Sequence, residues 1–133
     1  MSRLILRNFV LLAAIAFWSG ASSAQGLPPQ TSNQSAVTVK VTPRNLQGAV
    51  WEFDVVFDTH SQELNDDLLK NAVLVGADGT QASPIAWQGD PPGGHHRKGV
   101  LRFNALNPAP STVVLLISRS GEPKPRSLHW ELK

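Results

Sequence analysis

Cysteine is absent from this 133-residue chain, and methionine occurs only at position 1. The chain can therefore form no disulfide, and it has no thiolate to act as a nucleophile or as a soft metal ligand. The motifs of common catalytic sites are missing as well, since no G-x-S-x-G, H-E-x-x-H or phosphate-binding glycine-rich pattern occurs. We expect a protein that is not an enzyme.

Hydrophobic runs long enough to cross a membrane are also missing. The apolar run from Phe9 to Trp18 has ten residues, whereas a membrane-spanning helix needs about 20. Arg3 and Arg7 lie before this run, and the small residues Ser22 and Ala24 follow it. This is the pattern of a secretory signal peptide over residues 1–24. We expect the mature protein to be periplasmic or secreted, with no membrane anchor after cleavage.

The chain that remains after removal of the predicted signal peptide has no excess of positive charge. Two of the twelve Lys and Arg residues lie in the predicted signal, so the other ten balance the ten Asp and Glu residues. A mature chain without net charge gives no reason to expect a nucleic-acid partner. A metal ion or a protein partner is expected instead, and the sequence leaves the oligomeric state open.

The mature chain reads as one all-β domain over residues 36–133, preceded by a flexible polar leader over residues 25–35. Apolar and polar residues alternate from Val37 to Val41, and again from Val50 to Asp58. Pro43 is expected to stop the first of these strands. With about seven short strands and frequent turn signals, the pattern predicts an immunoglobulin-like antiparallel β-sandwich, with a small β-barrel as the alternative.

The second half of the chain adds the remaining elements. One capped helical turn is expected at Leu68–Asn71, followed by a strand over residues 72–75 and a hairpin turn at Asp78-Gly79. A return strand over residues 83–88 would point Ile85 inward. Further strands are expected over residues 100–103, 112–118 and 128–132, and the apolar run of residues 112–118 predicts a central strand covered on both faces.

The unusual residues lie in a loop over residues 89–99, where the sequence Pro91-Pro92-Gly93-Gly94 precedes His95 and His96. A second histidine-bearing segment, Asp58-Thr59-His60-Ser61, ends the strongest strand. Side chains two residues apart on an extended chain point to the same side, so Asp58 and His60 can converge. If the two segments meet, His60, His95, His96 and Asp58 form a candidate site for Cu(II), Zn(II) or Ni(II).

Other interpretations of the same residues stay open. The histidines could form an internal hydrogen-bond network with Asp58 in a structural or protein-interaction module. Arg97 could lie behind the metal ligands, or Arg97 and Lys98 could bind an anion or simply be solvated. His129 reads as a surface residue, whereas Trp51, Trp87 and Trp130 read as core.

Two resemblances bear on this choice. The segments D-T-H-S at Asp58–Ser61 and P-G-G-H-H-R at Pro92–Arg97 resemble those of a group of small secreted bacterial and archaeal domains of uncharacterised function, which implies a compact all-β fold and no assigned activity. The Asp58-Thr59-His60 segment is similar in ligand type to that of periplasmic copper-resistance β-sandwich proteins, which bind Cu(II) through an N-terminal histidine and an Asp-x-His pair. This chain lacks the N-terminal histidine, so the similarity implies the ligand chemistry alone.

Overall fold

The computed structural model describes residues 26–132, so the predicted signal peptide of residues 1–24 lies outside the described residues. The described chain consists of short strands and a single helical turn. In chain order they are β1 (Gln30–Gln34), β2 (Val37–Asn45), β3 (Val50–Thr59), α1 (Leu68–Asn71), β4 (Ala72–Gly76), β5 (Gln81–Ala82), β6 (Pro84–Gly89), β7 (His96–Asn104), β8 (Thr112–Ile117) and β9 (Arg126–Glu131).

The strands form two antiparallel sheets that pack face to face. One sheet has the order β1-β2-β3-β7-β6 and the other has the order β5-β4-β8-β9. The predicted all-β sandwich is confirmed. Because the pairings of the described residues stay within each sheet, they do not close into the alternative barrel.

The core lies between the sheets and follows from the period-2 pattern of the strands. In β3 the side chains of Trp51, Phe53, Val55 and Phe57 point inward and are buried. Phe53 lies at the centre, with its ring centroid 5.7 Å from that of Phe103 and 5.6 Å from that of Trp130. The large aromatic side chains of both sheets thus meet in one continuous core.

The helical turn α1 forms as predicted. The Asp67 carboxylate accepts a hydrogen bond of 3.1 Å from the Leu69 N–H and so caps the turn. Ala72 already has extended backbone angles, and β4 begins there. Leu68 is buried in this turn, and the chain then enters the second sheet as β4.

Three segments differ from the sequence-based expectation. Residues 30–34, expected in the flexible leader, form strand β1 and pair with β2. Pro43 does not stop β2, because the register shifts between Pro43 and Asn45 and the strand continues past this bulge. The strand expected over residues 83–88 does not return to β4: the short β5 before it pairs with β4, and β6 lies in the other sheet and pairs with β7. Ile85 is consequently 48% exposed and does not point into the core.

Candidate functional site

The loop between β6 and β7 is fixed at its base by Asp90. The Asp90 carbonyl accepts hydrogen bonds from Trp87 Nε1 at 2.9 Å and from Arg97 Nε at 3.1 Å. Its carboxylate accepts a bond of 3.0 Å from the Lys98 N–H, and its own N–H donates to the Lys98 carbonyl at 2.9 Å. These four hydrogen bonds of Asp90 fix the positions at which the loop is joined to β6 and β7.

The tip of this loop is held by the last residue of β3 and by the segment that follows it. The Thr59 N–H donates to the His95 carbonyl at 2.9 Å, and the Leu64 N–H donates to the Gly94 carbonyl at 3.0 Å. The Gly93 N–H donates in return to the Leu64 carbonyl at 2.9 Å. Gly93 and Gly94 have φ angles of 120° and 72°, which L-residues with side chains rarely adopt. The glycine pair therefore serves the backbone turn.

The predicted meeting of the two histidine-bearing segments occurs for one pair of side chains. Asp58 and His96 are cross-strand neighbours of β3 and β7, and His96 Nδ1 contacts the Asp58 carboxylate. Both side chains are more than half exposed. His60 lies in the turn after β3 and His95 just before β7, and both are exposed residues.

A metal site needs at least a third ligand, and the described residues do not assemble one. Over residues 26–132, no group of three or more His, Cys, Asp or Glu side chains is arranged to hold a metal ion. Of the four predicted ligands, Asp58 and His96 are brought together. A pair of exposed side chains offers at most two of the ligands that Zn(II) or Cu(II) requires.

Arg97 has a structural position that the sequence did not indicate. Its side chain points between the sheets, and the residue is only 2% exposed. Arg97 NH1 donates to the Asp66 carbonyl at 2.6 Å, and its Cζ atom lies 5.2 Å from the centroid of the Trp87 ring. Desolvation by burial lowers the pKa of the guanidinium. Arg97 is thus neither a solvated loop residue nor placed for an external anion, and its donors are used within the fold.

A chain of buried ion pairs continues from Asp66 across the same end of the sandwich. Arg119 Nε lies 3.1 Å from the Asp66 carboxylate, and Arg119 NH1 donates to Glu122 at 3.1 Å. Glu122 also accepts bonds of 2.9 and 2.8 Å from Arg126. The Arg126 hydrogen bond is the main cause that lowers the pKa of Glu122 to about 2. These charges are buried but paired, which is the condition under which buried charges are tolerated.

Arg126 extends this network to the first hairpin of the chain. Its NH1 donates to the carbonyls of Ser32 and Val37, at 2.9 and 2.8 Å, and its NH2 donates to the Gln34 carbonyl at 2.9 Å. The β1–β2 turn is thereby attached to β9 of the other sheet. We call this end of the sandwich, where the histidine loop, the ion pairs and the β1–β2 turn lie, the closed end.

The opposite end of the sandwich carries a cleft, which we call the open end. The cleft has a volume of about 580 Å³ and lies between the start of the described chain, the β2–β3 turn and the loop before β8. A second hollow of about 510 Å³ adjoins it and shares Leu46, Trp51 and Ala109 with it. The apolar part of the wall of the first hollow consists mainly of Leu27, Pro43, Leu46, Trp51, Pro110 and Leu132.

Sequence reasoning missed this cleft because it assigned Trp51 only to the core. Trp51 is indeed only 3% exposed, but it borders both hollows. Pro43 was the available signal, since a proline inside a strand pattern marks a bulge or an edge. The bulge at that proline shapes one wall of the cleft.

Comparison with known protein families, with curated proteins and with solved structures finds no match to this chain. The resemblance of the D-T-H-S and P-G-G-H-H-R segments to small secreted domains therefore stays a prediction. The helix of the described residues, α1, has four residues and is far too short to cross a membrane.

Proposed function

We propose that this chain is a non-enzymatic binding domain, exported to the periplasm or out of the cell, that takes up an apolar ligand at the open end. The closed end then serves as the rigid base of the domain. The observation that carries this proposal is the difference between the two ends. One is filled by hydrogen-bonded loops and buried ion pairs, and the other holds a cleft with a tryptophan in its wall.

The size and lining of the cleft support this assignment. Ligand sites in proteins are clefts of about 300–1,000 Å³ with mainly apolar and aromatic walls and a few polar groups, and the first hollow has about 580 Å³. Loops at one end of a β-sandwich are also a frequent place for binding, because the sheets hold them in position.

The test is binding of a neutral apolar probe, N-phenyl-1-naphthylamine, followed by its fluorescence. Leu46 is half-buried and borders both hollows, so Leu46→Asn is expected to weaken binding about fivefold or more through lost apolar contact. Ile85→Asn changes an exposed aliphatic residue on β6 and is the matched control, with unchanged affinity. Probe binding that is absent, or equal in the wild type and Leu46→Asn, would contradict the proposal.

A second candidate function is the capture of Cu(II), Zn(II) or Ni(II), which the contact between Asp58 and His96 favours. His60 or His95 would have to move to supply a further ligand. Calorimetric titration with each metal tests this candidate, with His96→Ala as the variant and His129→Ala, on the exposed side of β9, as the control. A dissociation constant below about 10 μM that is lost only in His96→Ala supports metal capture. Weaker binding in the wild type removes it.

A further inference from the structure

Among residues 26–132, Arg44 is the charged residue that lines the cleft, and the backbone places it there. Pro43 pairs with Phe53 and Asn45 pairs with Glu52, so Arg44 is the extra residue of the bulge in β2. A bulge leaves its extra residue without a cross-strand partner and turns the side chain away from the regular alternation. The other lining residues of this hollow, from Gly26 to Leu132, are apolar or neutral.

The guanidinium of Arg44 is only weakly engaged within the fold. Its NH1 lies 3.8 Å from the Asp54 carboxylate, and both side chains are about half exposed. Exposed ion pairs of this kind contribute little to stability. This contrasts with Arg97, Arg119 and Arg126, whose donors are used by carbonyls and carboxylates inside the protein. Arg44 can therefore turn to a ligand at little cost to the fold.

Trp51 lines the cleft and carries a further polar group, its indole N–H. Trp87 and Trp130 donate their indole N–H groups to the carbonyls of Asp90 and Pro28. No such hydrogen bond is found for Trp51 within residues 26–132, and since no fully buried side-chain nitrogen or oxygen there lacks a partner, its N–H keeps some accessible surface although the residue is only 3% exposed. A tryptophan buried to this extent usually finds an acceptor. An acceptor atom on a bound ligand would complete its hydrogen bonding.

We propose that the cleft binds a small amphipathic carboxylate, with the carboxylate at Arg44 and the apolar body against Leu46 and Trp51. This inference rests on the proposed function and adds the charge of the ligand to it. One cation among the neutral, mainly apolar described residues of the wall favours a ligand with one negative charge. The planar guanidinium matches a carboxylate through two parallel hydrogen bonds, and the apolar wall matches a hydrocarbon chain or ring.

Octanoate and 1-octanol are the two probes, because they have the same number of carbon atoms and differ in charge. Binding to the purified protein is followed by calorimetry and by the NMR signal of the Trp51 indole N–H, assigned with Trp51→Phe. Octanoate is expected to shift this signal and to bind about tenfold more tightly than 1-octanol. Hexanoate, with two methylene groups fewer, is expected to bind about tenfold more weakly than octanoate.

Arg44→Gln is the decisive variant and Lys40→Gln is its matched control, since Lys40 is an exposed cation of the same strand outside the cleft. Arg44→Gln should lower octanoate affinity about tenfold and leave 1-octanol affinity unchanged, and Lys40→Gln should change neither. Equal affinity of the wild type for the two probes, or no effect of Arg44→Gln, would overturn the carboxylate assignment while leaving an apolar ligand site in place. Failure of both probes to bind at millimolar concentration would overturn the proposed function as well.

Discussion

Arg97, Arg119 and Arg126 are each less than 10% exposed, although arginine is almost never buried without partners. Their burial is possible because each guanidinium donates to carbonyls or carboxylates of distant segments. In a domain without disulfides, these contacts join loops that lie far apart in the sequence. Arg126, for example, links β9 to residues about 90 positions earlier. Each of these three arginines therefore connects segments of the closed end that are distant in the sequence.

Glu122 gives this network a pH dependence. Folding lowers its pKa from the usual 4.5 to about 2, so the ionised form is the one that the folded state stabilises. The contribution is complete above about pH 4.5 and is lost as the pH falls towards 2, with a size of about 3 kcal/mol. We expect the free energy of unfolding, measured in urea between pH 6 and pH 2, to fall most steeply in this window.

The variant Glu122→Gln isolates this effect. It should lower stability at pH 6 by about 3 kcal/mol or more, because Arg119 and Arg126 lose their ionised partner, and its stability should change less between pH 4.5 and pH 2 than that of the wild type. Glu131→Gln, an exposed residue at the end of β9, should follow the wild-type curve. Parallel curves for Glu122→Gln and the wild type would show that Glu122 is not responsible.

The contribution of Arg97 to stability can be compared directly with that of its neighbour Lys98. Arg97→Met keeps an apolar side chain against Trp87 but removes the donors to the carbonyls of Asp66 and Asp90, so we expect a loss of about 2–4 kcal/mol in the free energy of unfolding. Lys98→Met, on the exposed face of the same strand, should change it by less than about 0.5 kcal/mol. Chemical denaturation measures both. Similar values for the two variants would contradict the structural role of Arg97.

At the scale of elements, strands with a clean alternation and the helical turn with its Asp67 cap were predictable. β3 shows why, since the four inward residues Trp51, Phe53, Val55 and Phe57 are all buried. β1 was not predictable, because its residues are polar and the strand is held by pairing with β2 and by carbonyl contacts from Arg126. The change of sheet between β5 and β6 was likewise hidden, since β5 has only two residues and lies directly before the run expected as the return strand.

The candidate site was predictable to a smaller extent. The sequence raised the meeting of Asp58 with His96 only as a condition, and the structure brings the two together as cross-strand neighbours of β3 and β7. The inward direction of Arg97 did not follow, because it depends on where β7 begins: the strand starts at His96, inside the expected loop. The cleft depends on a bulge, and a bulge changes which residues face each other without a strong change in composition.

The sequence predicts that β8 is covered on both faces. In the structure its outer face is apolar but only partly buried. Its inward residues Val113, Leu115 and Ile117 are fully buried, whereas Val114 and Leu116 on the other face are only half-buried. Val73 and Val75 of β4 lie beside them in the sheet. The outer face of this central strand is therefore less buried than its inner face.

This difference between the two faces of β8 predicts unequal effects of the same substitution. Leu115→Ala should lower the free energy of unfolding by about 2–5 kcal/mol, because it leaves a cavity in the core. Leu116→Ala, the adjacent residue on the outer face, should lower it by about 1 kcal/mol or less. Denaturant unfolding of the two variants is the measurement. Equal losses would mean that the outer face is covered in solution.

At the scale of the whole molecule, the two ends of the sandwich differ in how they join the sheets. The closed end joins both sheets through Arg126 and Arg119, and the open end joins them mainly through packing around Trp51 and Leu132. The chain turns of the open end, over residues 45–49 and 104–111, are therefore free to shape a cleft. The closed end limits movement where the sheets would otherwise separate.

Hydrogen exchange at backbone amides tests this difference. The amides of Thr59, Leu64 and Gly93 donate to backbone carbonyls of packed loops, so we expect their exchange to require extensive unfolding. The Gln47 amide donates only to the exposed side chain of Asn45 and should exchange at least about a hundredfold faster. In Glu122→Gln the closed-end amides should lose protection while Gln47 stays unchanged, because the ion pairs hold that end together. Closed-end amides that exchange as fast as Gln47 in the wild type would contradict a rigid base, and the binding surface would then have to be sought at both ends.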